Sequence, residues 1–346
     1  MSKFVFRLSG LIVSMAIIEC VPNFSEGRNQ KVINLITEAI NRVSGVQLLH
    51  RDIGFSANRT VFTFVGQPKC VEEAAFNAIK IAGDLIDMRK HEGTHPRIGV
   101  TDVCPLIPIS GISMAETVKW AKKLGEKVGR ELNIPVYLYE EAATNPKRKN
   151  LSVIRKGEFN KLEHKLKSAN WQPDYGNKPF NLSAGTSVIG ARDFLLAYNV
   201  NLNTKDVFVA KKIAANIRSA GNPDAVPYLK AIGWYIEEYG LAQVSMNLTN
   251  YKITNIHTAF EEVKKEAEKL GYKILGSELI GMLPLQVLRD AGTFYFNEEQ
   301  GGLIGNKCDI ELIHKAIDKL GLNMLTAFKP EERIIEYVMD KNRMGL

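Results

Sequence analysis

His91-Glu92-Gly93-Thr94-His95-Pro96-Arg97 places two imidazoles, a carboxylate and a guanidinium on one short segment. Such a set supports either zinc hydrolysis or metal-free proton transfer. Read literally, it contains His-Glu-x-x-His, in which two histidines one helical turn apart bind zinc and the glutamate activates a water. That chemistry needs both rings on one helix face. Gly93 costs about 1 kcal/mol in a helix interior. Pro96 removes an amide donor and biases His95 away from helical backbone. The extended zinc pattern wants glycine at 98 and histidine at 101, where Ile98 and Thr101 stand. A loop is therefore expected, and no metal. With Arg89 and Lys90 nearby, the loop suits general acid–base chemistry beside an anion-binding patch, since histidine titrates near pH ~6.5. On residue types alone, a solvated polar loop is an equal reading.

The flanking pattern has to mount this loop. AIIECVP reads as a strand, and Val32, Ile36, Ala39, Ile40 and Val43 recur at helical spacing. VQLLHRDI and TVFTFVG are strands, followed by a helix carrying Val71, Ala75, Ala78, Ala82 and Leu85. The loop then leads into the strand IGVTDVCPLIPI. Ser113 to Glu116 is a capping box opening the next helix, and PVYLYEE closes the unit. The order is βαββαβ with an added αβ. After the irregular stretch WQPDYGNKPFNLSAG, the order starts again. It runs through FLLAYNVNL, a helix from about Thr204 to Gly221, two strands turning near Gly240, a helix ending at Gly271, and YKILGSELIG. From Pro284 onward short helices are expected. Repeated split βαβ units predict an α/β (α+β) fold of two subdomains, each a βαββαβ sheet with helices on one face. The boundaries expected are 17–183 and 184–346.

Residues 1–16 precede the first expected core strand. Lys3 and Arg7 before a short apolar run allow a signal peptide, but translation starting at Met15 is the favoured reading. No apolar run reaches the ~18 residues of a membrane-spanning helix. The charges, 45 basic and 38 acidic, are interspersed, which fits an anionic small ligand or a solvated surface better than a nucleic-acid arm. Cys20, Cys70, Cys104 and Cys308 lie far apart, as suits buried thiols in a reduced, cytoplasmic compartment.

ECVPNFSEGRN, DMRKHEGTHPRIGVTDVCPLIP, IGWYIEEYGLAQVSMNLTN and FKPEERIIEYV occur in this order. Together they resemble the glutamate formimidoyltransferase family, specifically the formiminotransferase part of formiminotransferase-cyclodeaminase, from about Ile18 to Val338. The resemblance implies two α/β subdomains at a substrate cleft, a homodimer, and transfer of a formimino group from N-formimidoyl-L-glutamate to tetrahydrofolate in histidine breakdown. The products would be 5-formimidoyltetrahydrofolate and glutamate. With no cyclodeaminase stretch in the sequence, a separate enzyme is expected to act downstream.

Carried onto this chain, the resemblance makes His95, before Pro-Arg, the catalytic proton shuttle and His91 its supporting histidine. Given those substrates, Arg59 and Arg97 are candidates for gripping glutamyl carboxylates at two points. Asp52 is a candidate for orienting the imidazole, Asn58 for a tight turn near ligand, and Glu141 for an additional acid or base. A plain salt bridge of Asp52 with Arg59 is the alternative. The implied folate segment is Gly176, Asn177, Lys178, Pro179, Phe180, Asn181, Leu182, Ser183, Ala184 and Gly185. The family carries Ser-Trp-Gly where this chain has Ser183-Ala184-Gly185, which predicts a lost aromatic face. Rival readings are transfer of a formyl group from 5-formyltetrahydrofolate and a non-catalytic folate carrier. RTVFTFVGQ superficially matches the aromatic motif of RNA-binding sheets, but Thr60 stands where that motif needs glycine.

Overall fold

The computed structural model describes residues 6–8, 11–13, 15–176, 181–218, 225–301 and 307–344. The leader question falls largely outside them; its described parts, β1 (Phe6–Leu8) and β2 (Leu11–Val13), pair antiparallel. The chain divides into two units, Met1–Asp193 and Phe194–Leu346.

In the first unit an extended run is interrupted at Val21 and Pro22, giving β3 (Ile17–Cys20) and β4 (Asn23–Phe24). α1 (Gln30–Asn41) starts where the Asn29 side chain accepts from the Lys31 and Val32 amides. β5 (Val46–Gly54) and β6 (Arg59–Gly66) form a hairpin, and α2 (Pro68–Leu85) begins on the proline that helix starts tolerate. β7 (Thr101–Ser110) follows the histidine loop. α3 (Met114–Glu131) opens with the predicted Ser113–Glu116 capping box, and β8 is Val136–Glu140. Two short helices, α4 (Leu151–Arg155) and α5 (Leu162–Lys167), precede β9 (Ser187–Ala191). β3 and β4 both lie between β6 and β7, while β5 pairs outside β6. β9 then joins β7 and β8 in parallel.

Two features depart from the expected layout. β9 makes the first unit end at Asp193 rather than at residue 183. Every residue of β9 is buried, so it lacks the alternation that marks a half-exposed strand. Helices also cover more than one face. Ile18, Cys20, Phe62, Phe64, Cys104 and Leu106 pack in one core with α1, α2 and α3. Val103, Tyr137, Tyr139 and Val188 point the opposite way and meet α4 and α5. Parallel strands are normally buried on both sides, and α4 and α5 supply the second cover.

The second unit repeats the split βαβ order: β10 (Leu196–Leu202), α6 (Val207–Ile217), β11 (Leu229–Ile236), β12 (Leu241–Leu248), α7 (Ile256–Lys269) and β13 (Ile274–Ile280). The strands lie β11-β12-β10-β13, all antiparallel. The expected end of α6 at Gly221 lies outside the described residues. α8 (Leu285–Gln300), α9 (Asp309–Leu320), α10 (Pro330–Arg333) and α11 (Ile335–Met344) complete the chain. Tyr198, Val200 and Leu202 bury beside Ile213, Val263 and Leu288 in its core.

Candidate active site

Residues 91–97 form no helix, in keeping with Gly93 and Pro96. The loop is instead clamped to the β5–β6 turn. Asn58 takes a left-handed conformation at φ 48, tolerated by asparagine better than by most residues. Its Nδ2 donates to the Glu92 carbonyl at 2.8 Å, and its Oδ1 accepts from the Gly27 amide at 2.9 Å. Gly93 closes the fit, because a Cβ there would fall 2.3 Å from the Ala57 carbonyl oxygen. Loop, turn and the segment after β4 thus meet at one end of the sheet.

Three charged side chains converge under the loop. Between Asn23↔Val103 and Phe24↔Thr101, β7 holds one residue more than β4, and that residue is Asp102. Such a bulge re-aims its side chain. Asp102, 1% exposed, accepts from Arg59 Nη1 at 3.1 Å, from Arg155 Nε at 3.2 Å and Nη2, and from the Ile98 amide at 3.1 Å. Arg59 Nε donates to Asn23 Oδ1 at 2.8 Å. Burial pulls the Arg59 guanidinium down to about 10 while Asp102 pushes it back up, so it stays a cation at neutral pH. One buried carboxylate between two arginines is held by geometry and hydrogen bonds rather than by charge alone.

His95 sits against this cluster. Arg59 Nη1 is 2.5 Å from Nδ1 and 3.2 Å from Nε2, and the Pro96 carbonyl is 2.8 Å from Nδ1. A guanidinium can donate to an imidazole only when the ring is neutral. Burial lowers the His95 pKa well below its usual value, and the Arg59 and Arg155 charges lower it further. The ring is therefore a neutral base at pH 7, beside cations that would drive a proton back off it. Nδ1 cannot both accept from Arg59 and donate to Pro96; with its proton given to the Pro96 carbonyl, Nε2 is the basic atom and has Arg59 Nη1 3.2 Å away as its donor.

Comparison with known proteins decides the family. The formiminotransferase domain, N-terminal subdomain, matches residues 17–192, and the formiminotransferase domain matches residues 197–340. The chain belongs to the formiminotransferase family. It is 49% identical to the formimidoyltransferase-cyclodeaminase of Rattus norvegicus over 93% of this chain, but it spans only 60% of that relative's length. Glutamate formimidoyltransferases of Streptococcus pyogenes serotype M1 and Thermoplasma acidophilum are 44% and 41% identical over 82% and 85% of this chain and 94% and 98% of their own.

In this formiminotransferase chain the His95 cluster lies wholly within the match to the N-terminal subdomain. The other candidate residues fall around it unequally. His91 is buried, its Nε2 donating to the Asn58 carbonyl at 2.8 Å and its Nδ1 accepting from Arg97 Nε at 3.2 Å. Both ring nitrogens are thus engaged, and burial keeps the ring neutral. Arg97 also pairs with Glu158 at 2.8 Å. Arg59 and Arg97 therefore already hold protein carboxylates, contrary to the expectation of two open grips for substrate. Asp52 lies 3.7 Å from His50 Nε2, and Asp102 takes the place against Arg59 that the alternative reading, a salt bridge, gave to Asp52. Glu141 forms an exposed pair with Lys149 at 2.8 Å.

Of the folate segment, Asn177 to Phe180 lie outside the described residues. Its second half frames the histidine loop: Met88 N donates to Ser183 O and Val100 N to Ala184 O, each at 2.8 Å. Asn181 Oδ1 accepts from the Ala184 amide at 2.8 Å. Gly176 and Gly185 have φ values of 90 and 69, and a Cβ on Gly185 would fall 2.4 Å from Ile98 O. Leu182 is exposed, whereas Ala184 is buried in the core with α1 to α3. Position 184 thus faces the core, so its small side chain is a packing choice here rather than a vacated ligand face. Sequence reasoning missed Asp102, Arg155, Glu158 and Asn23. Asp102 left one signal, a lone carboxylate inside an apolar strand, which has to be paired.

Proposed function

We propose that this chain is a glutamate formimidoyltransferase that moves the formimino group from N-formimidoyl-L-glutamate to N5 of tetrahydrofolate. The observation that carries the reading is the neutral His95 held between Arg59 and the loop backbone, in a chain whose residues 17–192 and 197–340 match the formiminotransferase domain. Attack of N5 on the amidine carbon forms a tetrahedral intermediate. The attacking nitrogen must lose a proton, and the departing glutamate nitrogen must gain one. His95 Nε2 takes the first proton as a neutral base. The imidazolium then faces Arg59 and Arg155 and is strongly acidic, so it returns the proton to the leaving amine. Asp102 holds both arginines in place throughout. Tetrahydrofolate is the co-substrate, and the family's properties extend the proposal to a cytoplasmic homodimer in histidine breakdown. No step in this scheme is routed through a metal.

Purified chain mixed with formimidoylglutamate and tetrahydrofolate should yield 5-formimidoyltetrahydrofolate, seen after acidification as the absorbance of methenyltetrahydrofolate. The yield should not change with chelator. Absence of product from this donor, with turnover from 5-formyltetrahydrofolate and glutamate instead, would replace the formimino donor by the formyl one. Folate binding without turnover of either would reduce the chain to a carrier.

A further inference from the structure

Three arginines around the histidine loop already hold carboxylates: Arg59 that of Asp102, Arg97 that of Glu158 and Arg89 that of Asp87. Arg28, between β4 and α1, does not. Its Nε donates to the Phe55 carbonyl at 3.2 Å, and its guanidinium lies 5.2 Å from the centre of the exposed Phe55 ring. A guanidinium stacks on an aromatic face, so ring and carbonyl together fix the side chain. Among the described residues no carboxylate pairs with it. Glu26, its closest acidic neighbour in sequence, is turned to the backbone, where its Oε1 accepts from the Arg28 and Asn29 amides at 2.8 Å each. With Nε spent on the turn, the two Nη groups are left without a protein partner among the described residues. They form an edge that can grip a carboxylate at two points. Lys90 also lacks an ion pair among the described residues, but no side-chain contact there fixes it.

The same contacts set Arg28 relative to His95. The Gly27 amide donates to Asn58 Oδ1 at 2.9 Å, and Asn58 Nδ2 donates to the Glu92 carbonyl at 2.8 Å. A Cβ on Gly27 would fall 2.4 Å from the Gly54 carbonyl oxygen, so the segment lies tight on the β5–β6 turn. In that turn the consecutive carbonyls of Phe55 and Ser56 accept from Arg28 Nε and from the Thr94 amide, each at 3.2 Å. Thr94 precedes His95. Consecutive residues are about 3.8 Å apart, which puts Arg28 Nε on the order of 10 Å from the Thr94 amide.

We propose that Arg28, carried on Phe55, binds the side-chain carboxylate of the formimino donor and so sets its specificity. The proposal rests on the formimino-transfer reading, both of whose substrates carry glutamyl carboxylates. Distance selects between them. The donor's side-chain carboxylate is one short aliphatic chain away from the amidine carbon that reacts beside His95. The glutamyl carboxylates of the folate lie beyond its pteridine and benzoyl groups, too far from the reacting N5 to meet a cation so close to the base.

Steady-state kinetics and calorimetric titration of the full chain test this with two donors: formimidoylglutamate, and formimidoylglutamine, whose side chain ends in a neutral amide. The wild type should prefer formimidoylglutamate in kcat/KM by about 10–100-fold, the size of a hydrogen-bonded contact to a charged group. Arg28→Ala should erase that preference by losing affinity for formimidoylglutamate, while calorimetry shows tetrahydrofolate bound as in the wild type. Arg28→Lys should restore only part of it, because an ammonium cannot grip at two points. Phe55→Ala, at an exposed position, should weaken formimidoylglutamate severalfold. A wild-type preference surviving in Arg28→Ala, or an equal loss for both donors, would overturn the proposal and leave the transfer reading in place. Arg28-dependent binding of formimidoylglutamate by a chain that fails the transfer assay would sink the functional reading and leave the carboxylate site standing.

Discussion

His95→Ala should lower kcat for formimino transfer by about 10²–10⁴-fold, the usual contribution of a positioned acid–base group, while the chain keeps its fold and its affinity for folate. The loss should be large because no neighbour can take over. His91 has both nitrogens committed, one to the Asn58 carbonyl and one to Arg97. Arg59 and Arg155 carry guanidinium groups, which accept no proton. KM should move little, since His95 acts on the proton in flight rather than on substrate carboxylates. The measurement is steady-state turnover by the acidified-product absorbance, with circular dichroism to confirm folding. A variant turning over at the wild-type rate would remove His95 from the mechanism.

Asp102→Asn should destabilise the first unit by about 3–5 kcal/mol, the range for removing one partner of a buried ion pair. The amide keeps the size of the side chain but leaves Arg59 and Arg155 facing each other without the carboxylate between them, at positions where Asp102 is 1% and the arginine side chains 10% and 14% exposed. It also weakens the acceptor for the Ile98 amide, one anchor of the histidine loop. Urea unfolding should show an earlier first transition and an unchanged second unit. Activity should fall with it, because Arg59 loses the contact that holds it against His95. Unfolding like that of the wild type would mean that the cluster does not carry the unit's stability.

Both predictions depend on residues that differ in how visible they are from the sequence alone. The loop was legible because Gly93 and Pro96 are local signals, and the order of elements was legible because each helix and hairpin strand has its own period. The capping box at Ser113 and the turn at Gly240 are local in the same sense. β9 was not legible, since a short strand buried on both faces has no period to read. The choice of Asp102 over Asp52 as partner of Arg59 was not legible either. It is decided by a bulge between β4 and β7, a relation between residues about eighty positions apart. Arg155 and Glu158 come from a segment that reads as connection, and only the packing of α4 beneath β7 brings them to the site.

The account turns on His95 being a neutral base in the resting protein. Its pKa is depressed in the fold, whereas in the unfolded chain it is about 6.5. The ring therefore contributes stability that is present above pH ~6.5 and lost as pH falls below it, where the unfolded chain binds the proton first. The direct measurement is the NMR titration of the His95 ring in wild-type protein, assigned by the signal missing from His95→Ala. A midpoint well below 6.5, with the ring neutral at pH 7, is the predicted result. A midpoint at or above 6.5 would make His95 an imidazolium near neutrality and contradict its role as the base that starts the transfer.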